Sequence, residues 1–187
     1  MKSGKLKTTI ILSVLLTITM TQASLAQETF SKYAHPEMKK MEFMIGKWQF
    51  NAKFKRQDGS FGKITSRSIV NTTLGGRAIA DHYCNVLSNG EIDNVGVTIR
   101  SYNPRLQKWL MVFYDLDLGS RTEFTGEFKD GEFHFEGTGL HNGIALLEKV
   151  TFYNIEKDGY SWKMDRSYDN GKTWIKDFFS YEAVRLK

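Results

Sequence analysis

Cysteine and proline are the scarcest residues of this chain, with one Cys and two Pro among 187 residues. A single cysteine, Cys84, excludes an internal disulfide and every zinc site that is built on paired cysteines. Cys84 lies in a strand-like stretch, which favours a small buried side chain over a reactive thiol. Scarce proline, together with 16 Gly and 13% aromatic residues, is typical of many strands joined by glycine turns.

The sequence also has no run of basic residues interleaved with aromatic ones. The chain carries 26 basic and 21 acidic residues, and three of the basic ones are Lys2, Lys5 and Lys7 near its start. Without those three, 23 basic and 21 acidic residues remain, which is close to neutrality. We therefore expect no nucleic-acid partner.

The three lysines precede an apolar stretch over residues 8–20, and Ser24-Leu25-Ala26 follows with small residues at both positions that a signal peptidase reads. This pattern predicts a signal peptide over residues 1–26 and a periplasmic or secreted protein. The apolar stretch is short and rich in threonine, so we expect no stable membrane anchor after cleavage. Residues 27–44 form a lead-in that contains a short helix with Pro36 in its first turn.

Residues 45–187 show the alternation of apolar and polar side chains that predicts strands. The clearest case is 46–56, where Trp48, Phe50, Ala52 and Phe54 share one face. About ten such segments follow one another at intervals of ~8–12 residues, and turn signals such as Asp58-Gly59 and Asn89-Gly90 separate them. An open sheet of this size would leave two bare edges. The pattern therefore predicts an all-β domain, an antiparallel up-and-down barrel of about ten strands with a short N-terminal helix.

Gly46-x-Trp48, at the start of the first strand and after a short helix, resembles the N-terminal signature of lipocalins and the wider calycin superfamily. Further matches are Leu74-Gly75-Gly76-Arg77, Tyr102-Asn103 and the segment 167–174. Together they resemble a family of small exported bacterial lipocalin-like proteins of unknown function. The resemblance implies a ten-strand calycin-like barrel and no particular activity. Trp48 is expected to plug the closed end of that barrel.

Related barrels provide two comparisons. The haem-binding nitrobindin-like barrels hold iron through a histidine near the C-terminus, whereas this sequence has no histidine after His141. We therefore expect no haem, and no other cofactor. The fatty-acid-binding barrels carry a pair of basic residues that binds a carboxylate inside the cavity. Arg166, on the face of Trp162 and Met164, resembles such a residue, although the pair has no residue-by-residue match here.

Ser167-Tyr168-Asp169-Asn170-Gly171-Lys172-Thr173-Trp174 fits the Asp-box pattern of sialidases and other sugar-active proteins. In that pattern the aspartate bonds turn amides, the glycine takes a positive φ and the tryptophan packs over the turn. We predict a structural clasp in the last hairpin rather than a catalytic site.

Polar residues on apolar strand faces are the candidates for a ligand site. Arg166 shares a face with Trp162 and Met164, so it should point inward. There it would either pair internally, with Asp177 or Asp115, or bind an anion. Three more candidates lie in central strands whose facing the sequence leaves open, namely Arg100, Lys149 and Tyr153.

Two residues are candidates for acid–base chemistry. His82 shares a face with Ala80 and Cys84, which predicts an inward side chain, and Tyr114 lies in a central strand. Two hypotheses follow. The first is a pocket for a small polar or anionic ligand. The second is a metal-independent lyase or dehydratase acting on an acidic, uronate-type oligosaccharide, in which His82 or Tyr114 moves a proton and an arginine stabilises the enolate. No metal site is expected, because the histidines have no tight spacing and His134 should face solvent.

Overall fold

The structure, a computed structural model, describes residues 30–116, 119–141 and 143–187, without the side chains of Asn94 and Val95. Ten antiparallel strands close into one barrel in which each strand pairs with its neighbours in sequence and β1 pairs with β10. This confirms the predicted fold class. The predicted signal peptide lies outside the described residues, so export stays a prediction. The strands are β1 (Gly46–Lys55), β2 (Phe61–Thr73), β3 (Ala78–Val86), β4 (Ile92–Asn103), β5 (Lys108–Asp115), β6 (Ser120–Lys129), β7 (Glu132–His141), β8 (Ile144–Tyr153), β9 (Gly159–Ser167) and β10 (Ile175–Leu186).

The helix before β1 is a 3₁₀ helix over Pro36–Met44, with Pro36 at its start. Met38, Met41 and Met44 are spaced three residues apart, so at three residues per turn they line one side of the helix. All three are fully buried and belong to the core inside the barrel. The helix therefore covers one end of the barrel, which we call the closed end. Among the described residues, no helix is long and apolar enough to cross a membrane.

Trp48 anchors the closed end. Its indole Nε1 donates a 2.6 Å hydrogen bond to the Met44 carbonyl, and its ring packs edge-on against Tyr160 at 4.9 Å. Gly46 adopts φ +133°, and a Cβ there would lie 2.6 Å from Arg185 Nη1. Glycine is therefore required twice at this position, for its backbone conformation and for space. The inferred role of Trp48 as a plug agrees with this geometry.

Glycines on the inward faces of the strands make room for phenylalanine rings on the neighbouring strands. Gly126 lies opposite Phe135, and Gly137 lies opposite Phe124. A Cβ on either glycine would lie within 2.4 Å of the ring it faces. The rings lie flat over the missing side chains, so the pairs interlock β6 and β7 while keeping the interior filled.

The segment 167–174 forms the predicted clasp, and β10 begins directly after it at Ile175. Asp169 accepts hydrogen bonds from the Thr173 amide at 2.8 Å and from its hydroxyl at 2.6 Å. Gly171 takes φ +83°, and the Trp174 indole donates to the Gly171 carbonyl at 3.1 Å. Each element of the motif serves the turn, so the structural interpretation is supported.

Candidate functional site

On β1 and β5 the inward faces become more solvent-accessible away from the 3₁₀ helix, whereas on β6 and β8 the inward side chains Thr122 and Glu148 stay buried. On β1, Trp48, Phe50 and Ala52 are buried, whereas Phe54 is half-buried. On β5, Trp109 is buried near the helix and Phe113 is half-buried at the other end of the strand. Water therefore reaches the interior from the end opposite the helix, which we call the open end.

Half-buried side chains that point inward surround the open end, and most of them are aromatic. Trp162 stacks on Tyr181 with ring centres 5.0 Å apart and meets Phe179 edge-on at 5.9 Å. Their partial exposure leaves an apolar surface accessible to solvent, of the kind on which flat rings and hydrocarbon chains pack. We call this set the open-end ring: Phe54, Ile64, Tyr83, Phe113, Trp162, Arg166 and Phe179.

Arg166 is the charged member of the open-end ring, and the prediction that it points inward is confirmed. Its Nε and Nη2 donate to one oxygen of Glu148 at 2.8 and 2.5 Å. Its guanidinium lies 4.1 Å from the centre of the Phe178 ring, and its Nη1 donates to the Tyr168 hydroxyl at 3.2 Å. The arginine side chain is 14% exposed, so one edge of a positive charge remains in reach of solvent.

Glu148 is the partner of Arg166, and the predicted partners, Asp177 and Asp115, are wrong. The Glu148 side chain is only 5% exposed. Burial raises the pKa of its carboxyl above the ordinary value, although Arg166 and a hydrogen bond from Thr122 act in the opposite direction. Removing a carboxylate from water is costly, and its attraction to Arg166 offsets that cost only in part.

A second ion pair lies deeper in the barrel. Arg100 Nη1 donates to Asp81 Oδ2 at 3.0 Å, and the Ser68 hydroxyl donates to the other carboxylate oxygen. Both charged side chains are at most 6% exposed. Arg100 Nε has no hydrogen-bond partner among the described residues, and the guanidinium lies 5.6 Å from the centre of the Phe152 ring. Each of the two inward arginines is thus neutralised by a carboxylate, so the interior is not cationic.

Polar groups also line the open end between β2 and β3. The Ser66 hydroxyl lies 2.7 Å from the Tyr83 hydroxyl and donates to the Asn85 amide oxygen at 3.1 Å. Burial raises the pKa of Tyr83 above its ordinary value, so this phenol stays protonated at neutral pH. Tyr83 and Asn85 are half-buried, whereas Ser66 is fully buried, so β3 supplies the accessible neutral hydrogen-bonding groups and β9 supplies Arg166.

The predicted inward position of His82 is wrong. His82 is exposed on the outer face of β3, and Cys84, predicted to be buried, is half-exposed on the same face. The inward face carries Ile79, Asp81 and Tyr83 instead. That phase follows from the ladder, in which Asp81 pairs with the fully buried Val70 of β2. The charge of Asp81 on the inward face of β3 is the reason why the sequence pattern predicted that face to be the outer one.

Tyr114 also lies on the outer face, 41% exposed, where it borders a surface concavity together with Arg121 and Leu140. His82 and Tyr114 flank Val97 in the same row of the outer face, because each pairs with it across a ladder. Neither lies on the side of the barrel wall that carries Arg166. The structure therefore does not bring His82 and Tyr114 together with Arg166.

The other two candidates, Lys149 and Tyr153, lie on the outer face of β8. Lys149 pairs with Glu136 at 3.1 Å, and its amine lies 4.9 Å from the centre of the Trp174 ring. Tyr153 is half-buried on the outside, under the amine of Lys163 at 5.4 Å from its ring centre. Burial, more than the nearby carboxylates of Glu182 and Asp177, raises the pKa of Tyr153 above its ordinary value.

Sequence reasoning missed the two buried carboxylates, Asp81 and Glu148. A signal for Glu148 exists, since it alternates in step with Leu146, Val150 and Phe152, all of which are buried. A charged residue that falls on the apolar face of a clean alternation predicts a buried, paired charge. Within the described residues, no group of three or more His, Cys, Asp or Glu side chains is arranged to hold a metal ion.

Solved structures similar to this chain include Rv2717c from M. tuberculosis, with a TM-score of 0.59 and 10% sequence identity over 82% of this chain and 99% of that one. Another is the S-type phycobiliprotein lyase CPES from Guillardia theta, with a TM-score of 0.51 and 14% identity over 79% of this chain and 90% of that one. At these identities the likeness concerns the fold alone, and both are calycin-like barrels. No protein-family model and no curated protein matches the chain.

Proposed function

We propose that this chain is an exported binding protein that holds a small anionic ligand in the open end of its barrel. The observation that carries the proposal is the change in burial along the inward faces of β1 and β5, from buried near the 3₁₀ helix to half-buried at Phe54 and Phe113 of the open-end ring. A structural barrel without a ligand would gain stability by burying these aromatic rings fully. Their exposure is the expected state of a pocket wall awaiting its ligand.

The chemistry of the ring sets the ligand class. Trp162, Phe113 and Phe179 present ring faces and edges, which suit a hydrocarbon body or the apolar face of a sugar ring. Tyr83 adds a hydroxyl group, which the buried Ser66 hydroxyl contacts at 2.7 Å. Arg166 supplies the charge, because its planar guanidinium can accept a second carboxylate. A uronate-type sugar or a carboxylated hydrophobic molecule combines these features.

Glu148 is the internal competitor for the ligand. It occupies Arg166 at a desolvation cost that raises its own pKa. A ligand carboxylate that takes its place lets Glu148 accept a proton, so the interior stays neutral in both states. Binding on this scheme exchanges one buried ion pair for another and is favoured below neutral pH.

Export rests on the N-terminal pattern alone. The basic residues, the apolar stretch over residues 8–20 and the small residues before position 27 are those of a cleaved signal. The phycobiliprotein lyase among the similar structures is named for an enzyme, and this fold accommodates both binding proteins and enzymes. No observation on this chain favours an activity over binding.

The experiment is a ligand screen on the purified protein. Thermal unfolding is recorded with uronates, fatty acids, aromatic carboxylates and their uncharged esters or amides. We expect one anionic class to raise the melting temperature and to change the fluorescence of Trp162, while its uncharged analogue does neither. Trp162→Phe serves to assign the fluorescence change, since three other tryptophans are present, Trp48, Trp109 and Trp174. Equal effects of acids and uncharged analogues would contradict the proposal, as would no effect of any compound.

A further inference from the structure

The outer face of the β1–β2 hairpin carries a concentration of positive charge that the interior site does not use. Residues 46–73 contain six basic residues and one acidic residue, Asp58. The whole chain has 26 basic and 21 acidic residues, so the rest of it contains 20 of each sign. The hairpin alone thus carries a formal charge of +5, and the rest of the chain, counted without Lys2, Lys5 and Lys7, has 17 basic and 20 acidic residues. We call its charged groups the basic strip: Lys47, Lys53, Lys55, Arg56, Lys63 and Arg67.

The members of the strip lie on one surface. Lys47, Lys53 and Lys55 alternate with the inward residues of β1, and Lys63 and Arg67 do the same on β2. Across the ladder Lys53 pairs with Lys63, and Arg67 pairs with Gln49. The strip follows β1 over nine residues, from Lys47 to Lys55, which is roughly 27 Å of strand.

The strip lacks internal neutralisation. Among the described residues, no carboxylate lies within salt-bridge distance of any of its six cations, whereas Lys108, Lys149 and Lys176 on other strands are each paired. Glu182 on the adjoining strand β10 accepts a hydrogen bond from Ser161 instead. Lys53 and Lys63, directly opposite each other, repel one another, an arrangement that lowers the stability of a strand pair. An anion bound between them would reverse that effect.

We propose that the basic strip binds an acidic polysaccharide. The groups between the cations are Gln49, Asn51 and Thr65, whose amides and hydroxyl match the hydroxyl groups of sugar rings. The cations match carboxylates or sulfates repeated along a linear chain. Exposed apolar side chains occur only at the two ends of the strip, Phe61 and Ile69, which does not suit insertion into a lipid surface. Stacking platforms for bases are also missing from its centre.

The test uses the full protein with polygalacturonate and heparin as anionic probes, dextran as a neutral probe, phosphatidylglycerol vesicles and a short DNA duplex. Lys53→Glu/Lys63→Glu reverses two charges at the centre of the strip. Lys129→Glu/Lys172→Glu makes the same change in net charge at two exposed positions elsewhere, one at the end of β6 and one in the turn before β10, and among the described residues neither lysine has an ion-pair partner. Dissociation constants are measured by calorimetry at several salt concentrations.

We expect binding to at least one acidic polysaccharide and not to dextran, with an affinity that falls as salt rises. The strip variant should lose at least about tenfold in affinity, and the control variant should lose less than about threefold. Equal losses of affinity in the two variants would show that only the net charge of the protein matters, and would overturn the proposal. Binding to vesicles or DNA in preference to both polysaccharides would overturn it as well. Because the strip lies outside the barrel, Glu148→Gln/Arg166→Gln should leave polysaccharide binding unchanged. A failure of the strip proposal is therefore distinguishable from a failure of the proposed interior ligand site.

Discussion

The guanidinium of Arg185 lies 4.2 Å from the centre of the Trp48 ring and fastens the end of β10 to the start of β1. Arg185 also donates to the carbonyl of Phe43 in the last turn of the helix at 2.8 Å and to that of Ile45, between the helix and β1, at 2.7 Å. One side chain thus joins the helix, the first strand and the last strand at the closed end.

Arg185→Ala should therefore destabilise the protein through the closed end. The change removes the cation–π contact and leaves the Ile45 and Phe43 carbonyls without their donor. We predict a loss of about 2–4 kcal/mol in the free energy of unfolding, measured by urea denaturation. Lys187→Ala, at an exposed position two residues away, should change it by less than about 0.5 kcal/mol. A loss below 1 kcal/mol for Arg185→Ala would contradict the role given to this residue.

Gly126→Ala tests the interlocking of β6 and β7. A Cβ at this position would lie 2.4 Å from the Phe135 ring and 2.5 Å from the His134 carbonyl oxygen, and the latter belongs to the backbone and cannot turn away. We predict a loss of about 1–3 kcal/mol in the free energy of unfolding. Thr125→Ala, at the exposed neighbouring position, should cost clearly less. A variant as stable as the wild type would show that the strands adjust more freely than the geometry indicates.

The pH dependence of stability reports on Glu148. The folded-state pKa of Glu148 is raised above its unfolded value of 4.5. Its contribution to stability is therefore complete at pH values below 4.5 and is lost as the pH rises through the folded-state pKa. We predict that the wild type loses stability relative to Glu148→Gln as the pH rises from about 4 towards 7. Urea unfolding at a series of pH values measures this difference. Repeating it with His141→Gln removes a nearby titrating group that acts on Glu148. A difference that is constant with pH would contradict the raised pKa.

The clasp has the opposite pH dependence. Hydrogen bonds from the Thr173 side chain and backbone, and from Ser167, lower the pKa of Asp169 to about 2. A lowered pKa gives stability that is present above the unfolded value and is lost as the pH falls through the folded-state value. We predict that the melting temperature of the wild type falls more steeply than that of Asp169→Asn between about pH 4 and pH 2. Parallel curves for the two proteins would show that Asp169 does not clasp the turn.

Local patterns were enough to predict the barrel. The alternation in β1, the turn signals between strands and the elements of the clasp all follow from rules that act within about ten residues. The facing of β3 could not be obtained in this way, because Asp81 is acceptable inside only through Arg100 on the next strand. The partner of Arg166 depends in the same way on the β8–β9 register, in which Glu148 lies directly opposite Arg166. Residues whose position depends on pairing between strands are thus the ones that could not be predicted from the sequence alone.

Arg166 is central to the proposed ligand site, and one comparison of affinities tests it most directly. The anionic compound that stabilises the protein most in the ligand screen is titrated by calorimetry into the wild type and into two variants. Glu148→Gln/Arg166→Gln replaces the ion pair by neutral side chains of similar size, which avoids an unpaired buried charge. Lys149→Gln removes a positive charge from the outer face of β8, at the residue that follows Glu148, and serves as the control. We predict that the double variant loses about tenfold or more in affinity and that Lys149→Gln binds as the wild type does. Unchanged affinity in the double variant would contradict a ligand site at Arg166.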